Sequence, residues 1–358
     1  MESVRAWLRR QLANPQVVGL TLIVLLLGVS IWLFGQILAP VLAALVIAYL
    51  LDSLAEQLRA HRVPHLLSVL LVFTLFIAVL WACFFWLVPL LTRQMAQLFQ
   101  QVPLMVAQVQ GALMKLPQEY PNFVSEQQIR DMLSGFTSEL IRFGQQLVTF
   151  SVASLMTLIT VLVYLVLVPI LVFFLLKDKG MLTSWIASFL PRDRRLSQEV
   201  WRDVDRQIGN YVRGKLVEIL IVGAVAWVAF RFLELEYALL LAAVTGISVL
   251  IPYVGATVVT LPVALVAYFQ FGLEAQFYYV LLAYGIVQFL DGNVLVPLLF
   301  SEVVNLHPVA IIVAILFFGG LWGFWGIFFA IPLATVIQAI LRAWPRDETG
   351  PREPEATA

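Results

Sequence analysis

Gln288, Asp291 and Asn293 place two amides and a carboxyl within an otherwise uncharged apolar stretch, 275–299. A charge at the middle of a bilayer costs roughly 2.5–3.5 kcal/mol on insertion scales. A carboxyl placed there needs a cavity, a partner or a bound ion. Gln288 and Asp291 are three residues apart and so share one helical face. Gly292 makes the backbone beside them permissive and lets the helix open. Such a set can hold a coupling ion, a proton or a polar substrate. It can also be a neutralised or paired carboxyl that joins helices.

Pro252-Tyr253-Val254-Gly255 is the second feature. Pro removes an N–H and Gly relaxes φ, so the motif breaks a helix in the middle of the uncharged block 237–273. Backbone groups freed in lipid must be satisfied by protein, water, ion or ligand. Broken helices of this kind point to transport sites, although a plain kink or hairpin turn has the same signature. Gly319, Gly320, Gly323 and Gly326 interrupt the last apolar block and permit close helix packing or hinging. Arg213 and Lys215, with Glu218 as a partner, sit where a basic segment meets an apolar one. They read as cytoplasmic anchors or as an internal gate. His307 before Pro308 reads as a helix-entry residue.

The rest of the chain is the apparatus that positions these groups. Of 358 residues, 61% are apolar and 12% charged, whereas soluble domains run near half and a quarter. Residues 143–176, 237–273 and 303–341 carry no Lys, Arg, Asp or Glu. Each exceeds the roughly 20 residues that one helical crossing needs. Unbroken runs exclude the short alternating segments of a membrane barrel. The net charge is zero, so no field recruits nucleic acid. The lone cysteine, Cys83, allows no intrachain disulfide and no cysteine metal set. There is no phosphate-binding loop, zinc-protease helix or nucleophile elbow, so no enzyme activity, cofactor or metal is expected.

The pattern predicts an all-α, polytopic membrane protein with about eight spans. Residues 1–91 hold the N-terminal spans, with a retained first span at 17–35, a break over Gly35–Pro40 and a short second arm at 38–51. The third span is 66–91. Residues 92–146 form an extramembrane layer of amphipathic helices, with Leu91, Met95, Leu98, Phe99 and Val102 on one face and Ile129, Met132, Leu133 and Phe136 on another. Residues 147–176 form the fourth span. The segment 177–215 is the richest in Lys and Arg and is therefore assigned to the cytoplasm, with the 92–142 segment outside. Residues 216–341 form a transport-type half with two broken or re-entrant hairpins, and 342–358 is a charged, Pro-rich, disordered cytoplasmic tail.

Taken in order, these motifs resemble the autoinducer-2 exporter family, the permease-M-like bacterial membrane transporters. The resemblance is carried by Phe173-Phe174-Leu175-Leu176-Lys177-Asp178, by Tyr211-Val212-Arg213-Gly214-Lys215 and by Ile251-Pro252-Tyr253-Val254-Gly255. Asn293-Val294-Leu295-Val296-Pro297, Leu306-His307-Pro308 and the glycines from Gly319 to Gly326 complete it, over about residues 10–342. It implies a multi-pass permease of the bacterial inner membrane with both termini cytoplasmic. It also implies a homo-oligomer, a pentamer among the options. Export of autoinducer-2 and, in some members, sodium/proton antiport are the associated activities. The expected protein is therefore a secondary transporter that exports a small polar solute, with Asp291, Gln288, Asn293, Pro252, Tyr253 and Gly255 at its site. A proton or sodium ion is the expected coupling ion. A sodium/proton antiporter is the alternative, and a non-transporting oligomeric membrane scaffold is the alternative from another class.

Overall fold

A single proline does not break the first long helix. In the computed structural model, which describes residues 15–113, 155–188, 195–252, 254–300 and 307–343, helix α1 runs unbroken through Pro15–Ala60. The expected break at Gly35–Pro40 is absent, and Pro40 lies inside the helix. One missing N–H removes one hydrogen bond and costs about 3 kcal/mol, which buried neighbours can offset. Here Ala39 and Ala44 are packed on either side of it.

Helix α2, His65–Ala82, continues through a single turn of π-helix, Cys83–Leu87, into α3, Val88–Leu113. The helix therefore continues past residue 91, where the third span was expected to end. The stretch His65–Met105 is apolar enough to cross a bilayer as a whole. Further along come α4, Leu155–Lys177, and α5, Lys179–Ser188, which turn by 81° at Asp178. Helix α6, Arg195–Phe232, covers both the expected cytoplasmic helix and the fifth span. The 237–273 block splits as expected into two arms, α7, Ala238–Ser248, and α8, Val254–Phe271. Next, α9, Ala275–Leu290, passes through a second π-helical turn, Asp291–Leu295, into the short α10, Val296–Phe300. Helix α11, Pro308–Ala343, ends the described chain.

Every regular element among the described residues is helical, as expected. Among the described residues, four stretches are long and apolar enough to span: Ile37–Ala60, His65–Met105, Val254–Phe271 and Ala275–Phe300. The bent α4–α5 pair makes a fifth if it is one span. The apolar arms Ala238–Ser248, Val309–Gly323 and Trp325–Thr335 are each shorter than a crossing, and no separate second arm forms in α1. The amphipathic helix expected near Ile129–Leu147, its Ser125 start and the tail beyond Ala343 lie outside the described residues.

The chain forms two compact units. One comprises Leu51–Phe173 and Lys215–Leu299. Its core joins Val222, Ala226 and Phe230 of α6 to Leu241 of α7, Val263 and Ala267 of α8, and Val280 and Tyr284 of α9. Leu98 of α3, from the predicted apolar stripe, packs against this core. Gln94 Oε1 on the same helix accepts the Leu240 N–H at 2.9 Å. Helices α6 and α7 meet backbone to backbone, because a Cβ on Gly246 would stand 2.7 Å from the Ile219 carbonyl oxygen and 3.0 Å from the Gly223 Cα. Backbone cannot move aside as a side chain can. Gly246→Val therefore separates α6 from α7 and lowers stability by about 1–3 kcal/mol. A lower melting temperature in detergent checks this.

The other unit comprises Met1–Leu50, Phe174–Gly214 and Phe300–Ala358. Within it the Tyr49 hydroxyl donates to the Asp205 carbonyl at 2.9 Å, and Tyr211 packs on Phe300 with ring centres 5.7 Å apart. Helix α11 folds back on itself at Gly323, whose φ of 59° and ψ of −132° suit glycine alone. The two arms then touch at Gly319 against Ile327 and at Gly326 against the Phe318 carbonyl. Gly319 and Gly326 thus pack closely beside a reversal at Gly323, whereas a Cβ on Gly320 would meet nothing within 4 Å.

Candidate functional site

The charges that the first of these units holds among its apolar helices are few enough to follow one by one. Residues 215–230 carry Lys215 and Glu218, 237–273 carry none, and 275–300 carry Asp291. Lys215 and Glu218 lie three apart on α6, hence on one face, and that face is turned inward: Lys215 is 5% and Glu218 1% exposed. Lys215 Nζ stands 2.7 Å from Glu218 Oε2. The same ammonium donates to the Val249 carbonyl at 2.7 Å. Val249 follows the last residue of α7, so Lys215 reaches the orphan carbonyls that a helix end exposes at its C-terminus. A lysine at that depth is poorly placed to anchor the chain to lipid headgroups.

Helix α9 supplies the opposing wall. Tyr284, Gln288 and Asp291 are spaced four and three apart, so they form one stripe. The Tyr284 hydroxyl donates to the Ala256 carbonyl on α8 at 2.6 Å. Asp291 begins the π-helical turn that ends at Leu295. A π turn shifts backbone pairing by one residue and recurs at functional positions. Gly292 thus lies in a π-helical turn. Asp291 lies within the electrostatic field of both Lys215 and Glu218. Two side-chain atoms on the stripe, Gln288 Nε2 and Asp291 Oδ1, are buried with no hydrogen-bond partner. One is a donor and the other an acceptor, one helical turn apart. Burying such groups unpaired costs about 1–3 kcal/mol each, more when charged.

The structure therefore pairs Lys215 with Glu218 and sets Asp291, on one stripe with Gln288, within their electrostatic field. Asn293 does not join them, because its side chain is exposed and its Nδ2 donates to the Phe289 carbonyl of its own helix at 2.9 Å. Pro252 sits half-buried at the α7–α8 break. Gly255 packs α8 onto the Ser248 carbonyl so closely that no Cβ could fit. Both shape the break and add no polar side chain. Tyr253 lies outside the described residues. Arg213 belongs to the other unit, where it donates to the Gly209 carbonyl at 3.2 Å and lies 5.8 Å from the Tyr49 ring centre. His307 caps the start of α11, its Nδ1 accepting the Val309 N–H at 3.3 Å.

Sequence reasoning missed Tyr284 and the Val249 carbonyl. The first was findable, since it continues the Gln288–Asp291 stripe by one turn. The second is backbone and has no sequence signal. A polar cavity of about 310 Å³ at the other end of the same unit was also missed. It is walled by Gln101, Gln108, Glu236 and Gln270 among apolar neighbours. Gln94, Gln101 and Gln108 recur every seven residues along α3, so the repeat was legible had it been sought.

Comparison with known proteins bears on what such an arrangement is for. The family model described as AI-2E family transporter matches residues 20–346. A protein of Escherichia coli strain K12 that carries the permease name PerM is 43% identical over 346 residues, covering 96% of this chain and 98% of the relative. A Bacillus subtilis strain 168 protein that carries the transport-protein name YrrI is 26% identical over 312 residues, or 87% of each chain. The AI-2 transport protein TqsA of E. coli K12 is 23% identical over 337 residues, or 89% of each.

Proposed function

This chain belongs to the AI-2E transporter family, and on that premise we propose that it is an inner-membrane secondary transporter exporting a small polar, hydroxylated solute of the autoinducer-2 kind. The chain lacks a nucleotide-binding loop, so an ion or solute gradient supplies the drive. Both termini face the cytoplasm in this reading, as the basic 177–215 segment requires.

The observation that carries the proposal is the pairing of Gln288 Nε2 with Asp291 Oδ1, a buried donor and a buried acceptor that both lack partners. A hydroxyl group donates and accepts at once, and so satisfies both. A bare cation would meet the carboxylate and would require Gln288 to turn its Oε1 toward it. Asp291 also carries the coupling proton or ion, since it alone among the three charges has no opposite charge within the same helix turn. Helices α7 and α8 would move about their break between access states.

A specific count favours sodium/proton antiport as a second reading. Lys215, Glu218 and Asp291 sum to one negative charge when all are ionised, so the cluster accepts one more positive charge. Flux in proteoliposomes separates the two. The purified chain is supplied with labelled hydroxylated solutes under an imposed proton or sodium gradient. Saturable solute movement that stops when the gradient collapses supports the exporter. Exchange of sodium for protons with no solute movement supports the antiporter.

A further inference from the structure

We propose that Lys215 is a tethered cation that latches the α7–α8 break to α6, and that the charge at Asp291 sets how firmly the latch holds. The ammonium makes two contacts at once, 2.7 Å to the Val249 carbonyl at the start of the break and 2.7 Å to Glu218 Oε2 on its own helix. Glu218 is 1% exposed and Lys215 5%. Water therefore offers the ammonium little alternative solvation, and the cation must stay with the acceptors that surround it.

Those acceptors are not equal. Glu218 is fixed one turn away on α6. The Val249 carbonyl belongs to the break, where α7 has ended and α8 begins only at Val254. Asp291 lies within the electrostatic field of the same ammonium, and its Oδ1 is buried without a partner. Helices α7 and α8 bring no formal charge of their own, since 237–273 contains none. A carboxylate at Asp291 therefore competes with the Val249 carbonyl for the single ammonium. When Asp291 is neutralised or occupied, that competition ends and Lys215 settles on Val249, which closes the break against α6. When Asp291 is charged and empty, the ammonium is shared and the break loosens. Cargo at one helix thus governs the mobility of another through a side chain that need not touch the cargo. This deepens the transport reading, which gives Asp291 its change of charge.

The chain has one cysteine, the exposed Cys83, so Cys83→Ser gives a thiol-free background. Ile251→Cys then reports on the break, two residues beyond Val249, by its rate of reaction with N-ethylmaleimide. No solute and no gradient are present, so the outcome does not depend on the transport assay: a chain without flux can still show the latch, and a chain with flux can lack it. Asp291→Asn is expected to slow labelling, and Lys215→Ala to speed it about tenfold, the factor that a lost charge-assisted hydrogen bond represents. The double variant Lys215→Ala/Asp291→Asn should label as fast as Lys215→Ala alone. Should Lys215→Ala fail to assemble, Lys215→Met/Glu218→Leu removes both buried charges and makes the same prediction. An Asp291→Asn effect of equal size with and without Lys215 overturns the proposal. So does an unchanged rate in the lysine variants.

Discussion

Asp291→Asn lowers solute flux in proteoliposomes about ten- to a hundredfold while the purified protein keeps its elution volume and helical content. The size follows from the interaction removed. A hydrogen bond to a charged group contributes about 1.5–3 kcal/mol, and each 1.4 kcal/mol is a factor of ten. Asparagine keeps the volume and one carbonyl oxygen, so the α9 stripe stays packed between Gln288 and the π-helical turn. What it loses is the ability to gain and lose a charge, on which coupling depends. Assembly survives because the core around α9 rests on Val280, Tyr284 and Val287 and not on the carboxyl. Gln288→Leu, which removes the unpaired donor, should reduce solute binding and spare any ion movement. The two variants therefore separate recognition of the solute from coupling.

The largest effect on stability belongs to Lys215. Removal of one partner of a buried ion pair leaves the other charge uncompensated and costs about 3–5 kcal/mol, whereas replacing both with apolar residues of similar size is neutral or stabilising. Lys215→Ala strands Glu218, which is almost wholly buried, and also leaves the Val249 carbonyl unpaired. It should lower the melting temperature sharply. Lys215→Met/Glu218→Leu should melt close to the parent protein and transport nothing. Thermal unfolding of the three proteins in detergent checks this. Equal destabilisation by the single and double variants would show that the pair acts through packing alone.

The parts of the fold that were legible in the sequence share a physical cause. Asp291 stood out because a charge in a long apolar run has no cheap explanation. The α7–α8 break was readable because 237–273 is too long for one crossing and carries Pro252 and Gly255 near its middle. The stripe on α3 was readable because side chains that meet a core repeat every three or four residues. Pro40 misled for the converse reason. Proline lowers the helical preference of its neighbourhood, but tertiary packing around Ala39 and Ala44 decides the outcome. Lys215 was open between a cytoplasmic anchor and an internal gate with Glu218. Basic residues at the edge of an apolar run usually mark the cytoplasmic interface, and nothing in the local pattern shows that α6 turns this one inward. Its meeting with Val249, and the field it shares with Asp291, are contacts between distant segments that no periodicity records. Asn293 was grouped with Asp291 by nearness in sequence, yet two residues of helix turn it to the opposite face.

Access of water to residue 291 is the claim on which the rest stands. It is tested most directly by Asp291→Cys in the Cys83→Ser background, treated in sealed vesicles with a small charged methanethiosulfonate from either side of the membrane. Reaction of the folded protein from at least one side, slowed by the transported solute, is the predicted result. A thiol that stays inert from both sides until the chain is unfolded would place residue 291 in dry packing and leave a membrane assembly with no path for cargo.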